Sequence, residues 1–140
     1  MLTAAGLKSD DTLYDLGCGD GRILITAAKK FGARAVGVEM STILVKRALA
    51  EAQNQGVGDK VKVIEADLRN VDVSPAQVVA LYLMTEANDL IQPKLEKELR
   101  PGARVVSLDF KFRNWKPAKV EKVVASHHNY TIYVYEMPQK

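Results

Sequence analysis

The stretch Tyr14-Asp15-Leu16-Gly17-Cys18-Gly19-Asp20-Gly21-Arg22 decides the fold of this chain. It closes a short apolar run, Thr12 to Leu16, that reads as a buried strand. A helical pattern from Gly21 to Phe31 follows, with Ile23, Ala27 and Phe31 on one face. Glycines at 17, 19 and 21 allow a sharp strand-to-helix turn and let a ligand lie against bare main chain. In a parallel sheet this turn falls at the carboxyl end of the first strand, where ligands bind.

Outward from the turn the same alternation recurs. Gly32 ends the first helix. Ala35 to Glu39 reads as a second strand, and Ser41 caps a helix running to about Gln55. Leu44, Ala48 and Ala52 share one side of that helix, with Val45 and Leu49 beside them. Gly56 and Gly58 break it. Val61 to Glu65 and Gln77 to Leu83 are the third and fourth strands. A helix over Glu86 to Leu99 carries Leu90, Ile91, Leu95 and Leu99 as its stripe, and Pro93 inside it predicts a kink or two shorter helices. Pro101-Gly102 turns into a fifth strand, Ala103 to Asp109. Val120 to Ala125 and Tyr130 to Tyr135 then read as two strands joined through His127, His128 and Asn129, a terminal antiparallel hairpin. The expected architecture is α/β: a Rossmann-like, doubly wound, mainly parallel seven-stranded sheet with helices on both faces and a C-terminal antiparallel hairpin.

The 140 residues suit a single domain, 1–140, and 47% hydrophobic content suffices for a continuous core. A net charge of +3 is too slight to signal nucleic-acid binding. The one cysteine, Cys18, excludes an intrachain disulfide or a cysteine-based zinc site, and no metal site is expected. Met1 to Ser9 lacks a signal-peptide pattern, and no run nears the roughly 20 apolar residues of a membrane span. The expectation is a cytoplasmic protein without membrane insertion.

The acids around the turn narrow the ligand. The spacing is Gly-x-Gly-x-Gly, not the Gly-x-Gly-x-x-Gly that packs a pyrophosphate on a helix N-terminus, which disfavours nicotinamide-dependent hydride transfer. Asp15 and Asp20 would repel a pyrophosphate and suit an ammonium group. Glu39 ends the second strand, where a carboxylate can accept hydrogen bonds from both ribose hydroxyls. Asp67 follows the third strand and could accept from an adenine amino group, with Leu68 packed on the ring. Plainer roles compete with these. The glycines could form only a structural turn, Asp20 could cap a helix, and Asp67 could be a solvated loop residue. Cys18 fits a small turn-filling residue better than a nucleophile, and His127 and His128 fit turn positions better than a metal site.

Taken together these residues resemble the seven-stranded class I methyltransferases, whose first motif has the form Asp-x-Gly-x-Gly-x-Gly and whose last strand is inserted antiparallel. A narrower resemblance lies in Leu81-Tyr82-Leu83-Met84-Thr85-Glu86-Ala87-Asn88-Asp89-Leu90, Gln92-Pro93-Lys94-Leu95-Glu96-Lys97-Glu98-Leu99, Arg100-Pro101-Gly102-Ala103-Arg104-Val105-Val106-Ser107 and Asn114-Trp115-Lys116-Pro117. These are similar to the small archaeal protein-lysine methyltransferases and their mitochondrial relatives, which modify a lysine of the ATP synthase. The resemblance runs from about Leu7 to Met137.

It implies S-adenosyl-L-methionine as cofactor and S-adenosyl-L-homocysteine as product. Asp15, Gly17, Cys18, Gly19, Asp20, Gly21, Glu39, Met40, Asp67, Leu68 and Leu83 are the implied cofactor-binding residues. Leu83, Met84, Thr85 and Asn88 are implied to line the methyl-transfer channel and orient an amine, with no general base assigned. Tyr82 and Trp115 are further candidate walls, each with core packing as the alternative. The implied substrates are proteins bearing exposed lysines, chromatin proteins among them, with no stable nucleic-acid binding and no oligomeric state specified. The Asn/Asp-Pro-Pro-Tyr/Phe motif common in base-modifying amino methyltransferases does not follow the fourth strand. Methylation of RNA or a small molecule, or cofactor binding with little activity, are the alternatives. Two features depart from the family. Met1-Leu2-Thr3-Ala4-Ala5 begins after the tyrosine- and proline-containing cover segment, so a more open site is expected, and Leu108 stands where a polar residue such as His is usual.

Overall fold

A computed structural model describes residues 1–125 and 127–139. Seven strands form one sheet: β1 (Thr12–Leu16), β2 (Arg34–Glu39), β3 (Val61–Glu65), β4 (Val78–Leu81), β5 (Arg104–Leu108), β6 (Lys119–Ala125) and β7 (His128–Glu136). Their order is β3-β2-β1-β4-β5-β7-β6. The first five are parallel, while β7 runs antiparallel between β5 and β6. Helices α1 (Arg22–Phe31), α2 (Thr42–Asn54) and α3 (Thr85–Glu98) connect them, with a short 3₁₀ turn at Leu68–Asn70.

The central strands are apolar on both faces because both faces are covered. Leu13 and Leu16 of β1 and all four residues of β4 are buried. On one side Leu24, Ala27 and Ala28 of α1 pack together with Leu2, Ala5 and Leu7 of the segment before β1. Asp11 ties that segment to β5 through an ion pair with Arg104 at 2.8 Å. On the other side Ile91, Leu95 and Leu99 pack against Phe112, Trp115 and Tyr135. The segment after β5 thus covers sheet where a helix would otherwise lie.

The expected sheet and its closing hairpin are present, with local differences. The α3 region is one helix with Pro93 in its third turn, not two. Its buried line is Asn88, Ile91 and Leu95, while Leu90, expected in the stripe, is 76% exposed. Along α1 the buried line is Leu24, Ala27 and Ala28, so Ile23 and Phe31 sit at its margin. Ala125 pairs with His128, so His128 and Asn129 belong to β7 and not to the connection.

Candidate functional site

The site is built where β1 and β2 end side by side. Gly17 N and Cys18 N both donate to the carbonyl of Val38, at 2.8 and 3.0 Å, which fastens the turn to β2. One residue further along β2, Glu39 continues the attachment. Its Oε1 accepts from Gly19 N and its Oε2 from Ser41 N, each at 2.9 Å. Glu39 therefore holds the glycine turn and the entry to α2 with one carboxylate. Ser41 caps α2 as expected, its Oγ accepting from Leu44 N at 3.3 Å. Asp20 does not cap α1. Gly21 occupies the cap position without a side-chain bond, and Asp20 pairs with Arg22 at 3.0 Å.

The turn leaves its main chain open on the ligand side. A Cβ on Gly19, at φ +57, would meet nothing within 4 Å, and one on Gly17 would lie 3.8 Å from Leu83 Cδ2. Beneath it Asp15 is buried, and burial, then the charge of Glu39, pushes its carboxyl up to about 7. The charge of half-buried Glu39 close to the buried Asp15 fits a positively charged ligand and disfavours an anionic one. Cys18 is not an activated nucleophile: burial, then Asp15 and Glu39, pushes its thiol up to about 12.

A cleft of about 790 Å³ opens from this turn across the carboxyl ends of β4 and β5 to the β6–β7 hairpin. Asp15, Gly17, Cys18, Gly19, Asp20, Arg22 and Ile23 line the end at the turn; Leu81, Tyr82, Leu108, Val123, His128, Tyr130 and Ile132 line the rest, with Met1 also at its edge. Tyr82 is 62% exposed and stacks on Phe110 at 6.1 Å, so it faces the cleft side and not the core.

Several residues named from sequence stand elsewhere. Met40 and Met84 are exposed and do not line the cleft. Thr85 opens α3 and is half-buried. Asp67 caps the 3₁₀ turn, accepting from Arg69 N at 2.9 Å, and its ion pair with Arg69 holds its carboxyl down to about 2. Leu68 is half-buried beside it. Asn88 is fully buried, and its Nδ2 donates to the carbonyls of Phe110 at 3.1 Å and Lys111 at 3.5 Å. It fastens α3 to the segment after β5. Trp115 is a core residue, its ring 4.3 Å from Phe112 and its Nε1 donating to Glu96. The hairpin residues His128 and Tyr130 were missed as site residues. Their two-residue spacing was visible, but not that this face of β7 borders the cleft. Gly37 was missed as well; a Cβ there would lie 2.6 Å from both Cys18 Sγ and Leu24 Cδ1.

The sheet order, the glycine turn after β1 and the acid ending β2 define the class of seven-stranded S-adenosylmethionine-dependent methyltransferases. A solved structure described as an RNA methyltransferase from Salinibacter ruber in complex with S-adenosyl-L-homocysteine superposes with a TM-score of 0.92. It is 42% identical, covering 99% of this chain and 88% of that one. The chain belongs to the family described as the ANTKMT methyltransferase domain, whose profile matches residues 15–119. Among curated relatives, the protein-lysine N-methyltransferase of Saccharolobus islandicus is 47% identical, over 96% of this chain and 84% of that protein. The adenine nucleotide translocase lysine N-methyltransferase of Mus musculus is 38% identical over 77% of this chain. This chain spans 47% of the mouse protein's length. No helix among the described residues is long and apolar enough to cross a membrane.

Proposed function

We propose that this S-adenosylmethionine-dependent methyltransferase acts on the side-chain amine of protein lysines. The observation that carries the reading is the cleft itself, where Asp15 and the Asp20–Arg22 pair meet the glycine turn and mostly apolar and aromatic side chains line the remainder. Such a channel accepts a long aliphatic stem and strips water from the amine at its end. The identity to the Saccharolobus islandicus lysine methyltransferase supports the same reading.

In this reading Gly17 and Gly19 offer bare main chain to the methionine part of the cofactor, and Asp15 and Asp20 attract its ammonium. Glu39 accepts from the ribose hydroxyls while keeping its hold on the turn. Met40, Asp67 and Leu68 border the adenine, and Gly21 gives the turn its exit into α1. Leu83 stands over Gly17 and separates cofactor from acceptor, with Met84 and Thr85 continuing the rim. The cofactor, when bound, supplies an electrophilic methyl group on a cationic sulfur. The chain's own task is to deliver an uncharged amine to it. A lysine begins near pKa 10.4. Desolvation between Leu108, Tyr82 and Ile132 lowers that value, so water suffices to take the proton. Alignment then provides much of the acceleration. Asn88 serves by fixing the segment after β5, not by touching the amine.

A second reading, methylation of RNA, is favoured by the description of the Salinibacter ruber neighbour. Against it stands Leu83-Met84-Thr85 after β4, where base-modifying amino methyltransferases commonly carry a Pro-Pro-aromatic sequence. Incubation with labelled cofactor and separate protein, RNA and metabolite pools tests the choice. Label on lysine in the protein pool is expected; label confined to RNA or metabolites would overturn the lysine reading.

A further inference from the structure

The β6–β7 hairpin supplies one wall of the cleft, and nothing in the sequence motifs assigns it a role. Alternation along β7 puts His128, Tyr130 and Ile132 on one face. The register places Val123 across from Tyr130 on one side, and Leu108 across from Ile132 on the other. All five line the cleft. The rings of His128 and Tyr130 are 4.7 Å apart, and Tyr82 lines the same cleft from the end of β4.

We infer that the acceptor lysine enters from this hairpin side, between Tyr82 and Tyr130, and that these two rings set specificity for a lysine side chain. The inference rests on the lysine reading of the site. The faces of Tyr rings attract a lysine ammonium at the mouth. Deeper in, Leu108 and Ile132 pack on its methylenes, and the amine arrives at the Asp15 end with its water removed. Charges along the cleft agree with this direction. Asp15 and Asp20 lie at the glycine turn, where Arg22 is paired with Asp20, and among the described residues the hairpin side from Val123 to Ile132 carries no carboxylate into the lining.

The test uses the full chain, labelled S-adenosylmethionine and a nuclease-treated total protein pool. Tyr130→Ala and Tyr82→Ala should each raise the half-saturating pool concentration roughly three- to thirty-fold, the loss of one cation–π contact with its packing. The Kd for S-adenosyl-L-homocysteine should stay within about twofold of wild type, since neither ring is assigned to the cofactor. Tyr130→Phe should restore acceptor affinity. Val124→Ala, on the opposite face of the hairpin and 81% exposed, should match wild type. Unchanged half-saturation in both alanine variants, or an equal loss of S-adenosyl-L-homocysteine affinity, overturns the inference while leaving lysine methylation standing. Wild type that labels RNA alone overturns both. Thermal melting reports whether each variant folds, and the exposed Tyr82 carries the test if Tyr130→Ala does not fold.

Discussion

Asp15 is buried below the glycine turn with its carboxyl pushed up to about 7, by burial first and by Glu39 second. An unfolded aspartate titrates near 3.9. Between these values the folded chain binds the additional proton, so stability from this group is greatest below pH 4 and is lost as pH rises through 7. Asp15→Asn should therefore flatten the fall in melting temperature of the ligand-free protein between pH 5 and 8. An unchanged pH profile would show that Asp15 titrates normally. The same proton governs the cofactor if Asp15 faces its cationic end: affinity should decline about tenfold per unit below pH 7 and level off above it. Titration calorimetry in buffers of different ionisation heat measures the released proton. At Glu39 the two oxygens already hold Gly19 N and Ser41 N. Glu39→Ala should weaken S-adenosyl-L-homocysteine binding by about 2–3 kcal/mol, the value of two charge-assisted hydrogen bonds. Equal affinity in a binding titration would exclude Glu39 as the ribose acceptor.

At the scale of elements, two contacts hold the site's supports in place. β2 presses against the turn and α1 at Gly37, where an added Cβ would lie 2.6 Å from Cys18 Sγ and Leu24 Cδ1. Gly37→Ala should cost about 1–3 kcal/mol, as overpacking does. Chemical denaturation measures this, and a variant as stable as wild type would mean that β2 shifts freely. The other contact joins α3 to the segment after β5 through Asn88, whose Nδ2 serves Phe110 and Lys111 while Ser107 Oγ also donates to Phe110 O. Asn88→Ala should lose about 1–3 kcal/mol of stability by removing the hydrogen bonds that this fully buried amide makes between α3 and the segment after β5. It should also raise KM for the acceptor more than Kd for the cofactor, because Phe110 no longer braces Tyr82. Equal changes in both constants would argue against this positioning role.

For the whole molecule, the ligand groove is formed by elements distant in the chain, since residues near 15, 82, 108 and 130 border one cleft. Binding across it should stabilise the fold as a unit. At a hundredfold excess over Kd, S-adenosyl-L-homocysteine should add about 2.7 kcal/mol. For a chain of this size that corresponds to roughly 5–10 °C in Tm. A melting scan with no shift at saturating ligand would contradict cofactor binding by the intact sheet.

The sequence by itself determined the order of strands and helices, the turn after β1, the acids at the strand ends and the closing hairpin. Each depends on local chemistry: two- or 3.6-residue periodicity, glycine at positive φ, and a capping Ser41. The tertiary structure alone decided which side of an element is covered. Leu90 became exposed and Asn88 buried on the same helix, and Trp115 went to the core while Tyr82 turned to the cleft. Those outcomes follow from what packs alongside, and the partners come from far along the chain. β7 inserts between β5 and β6, the segment after β5 covers α3's face of the sheet, and residues 2–7 cover part of the other. No local pattern carries that information, because burial of a side chain is a property of its neighbours in space.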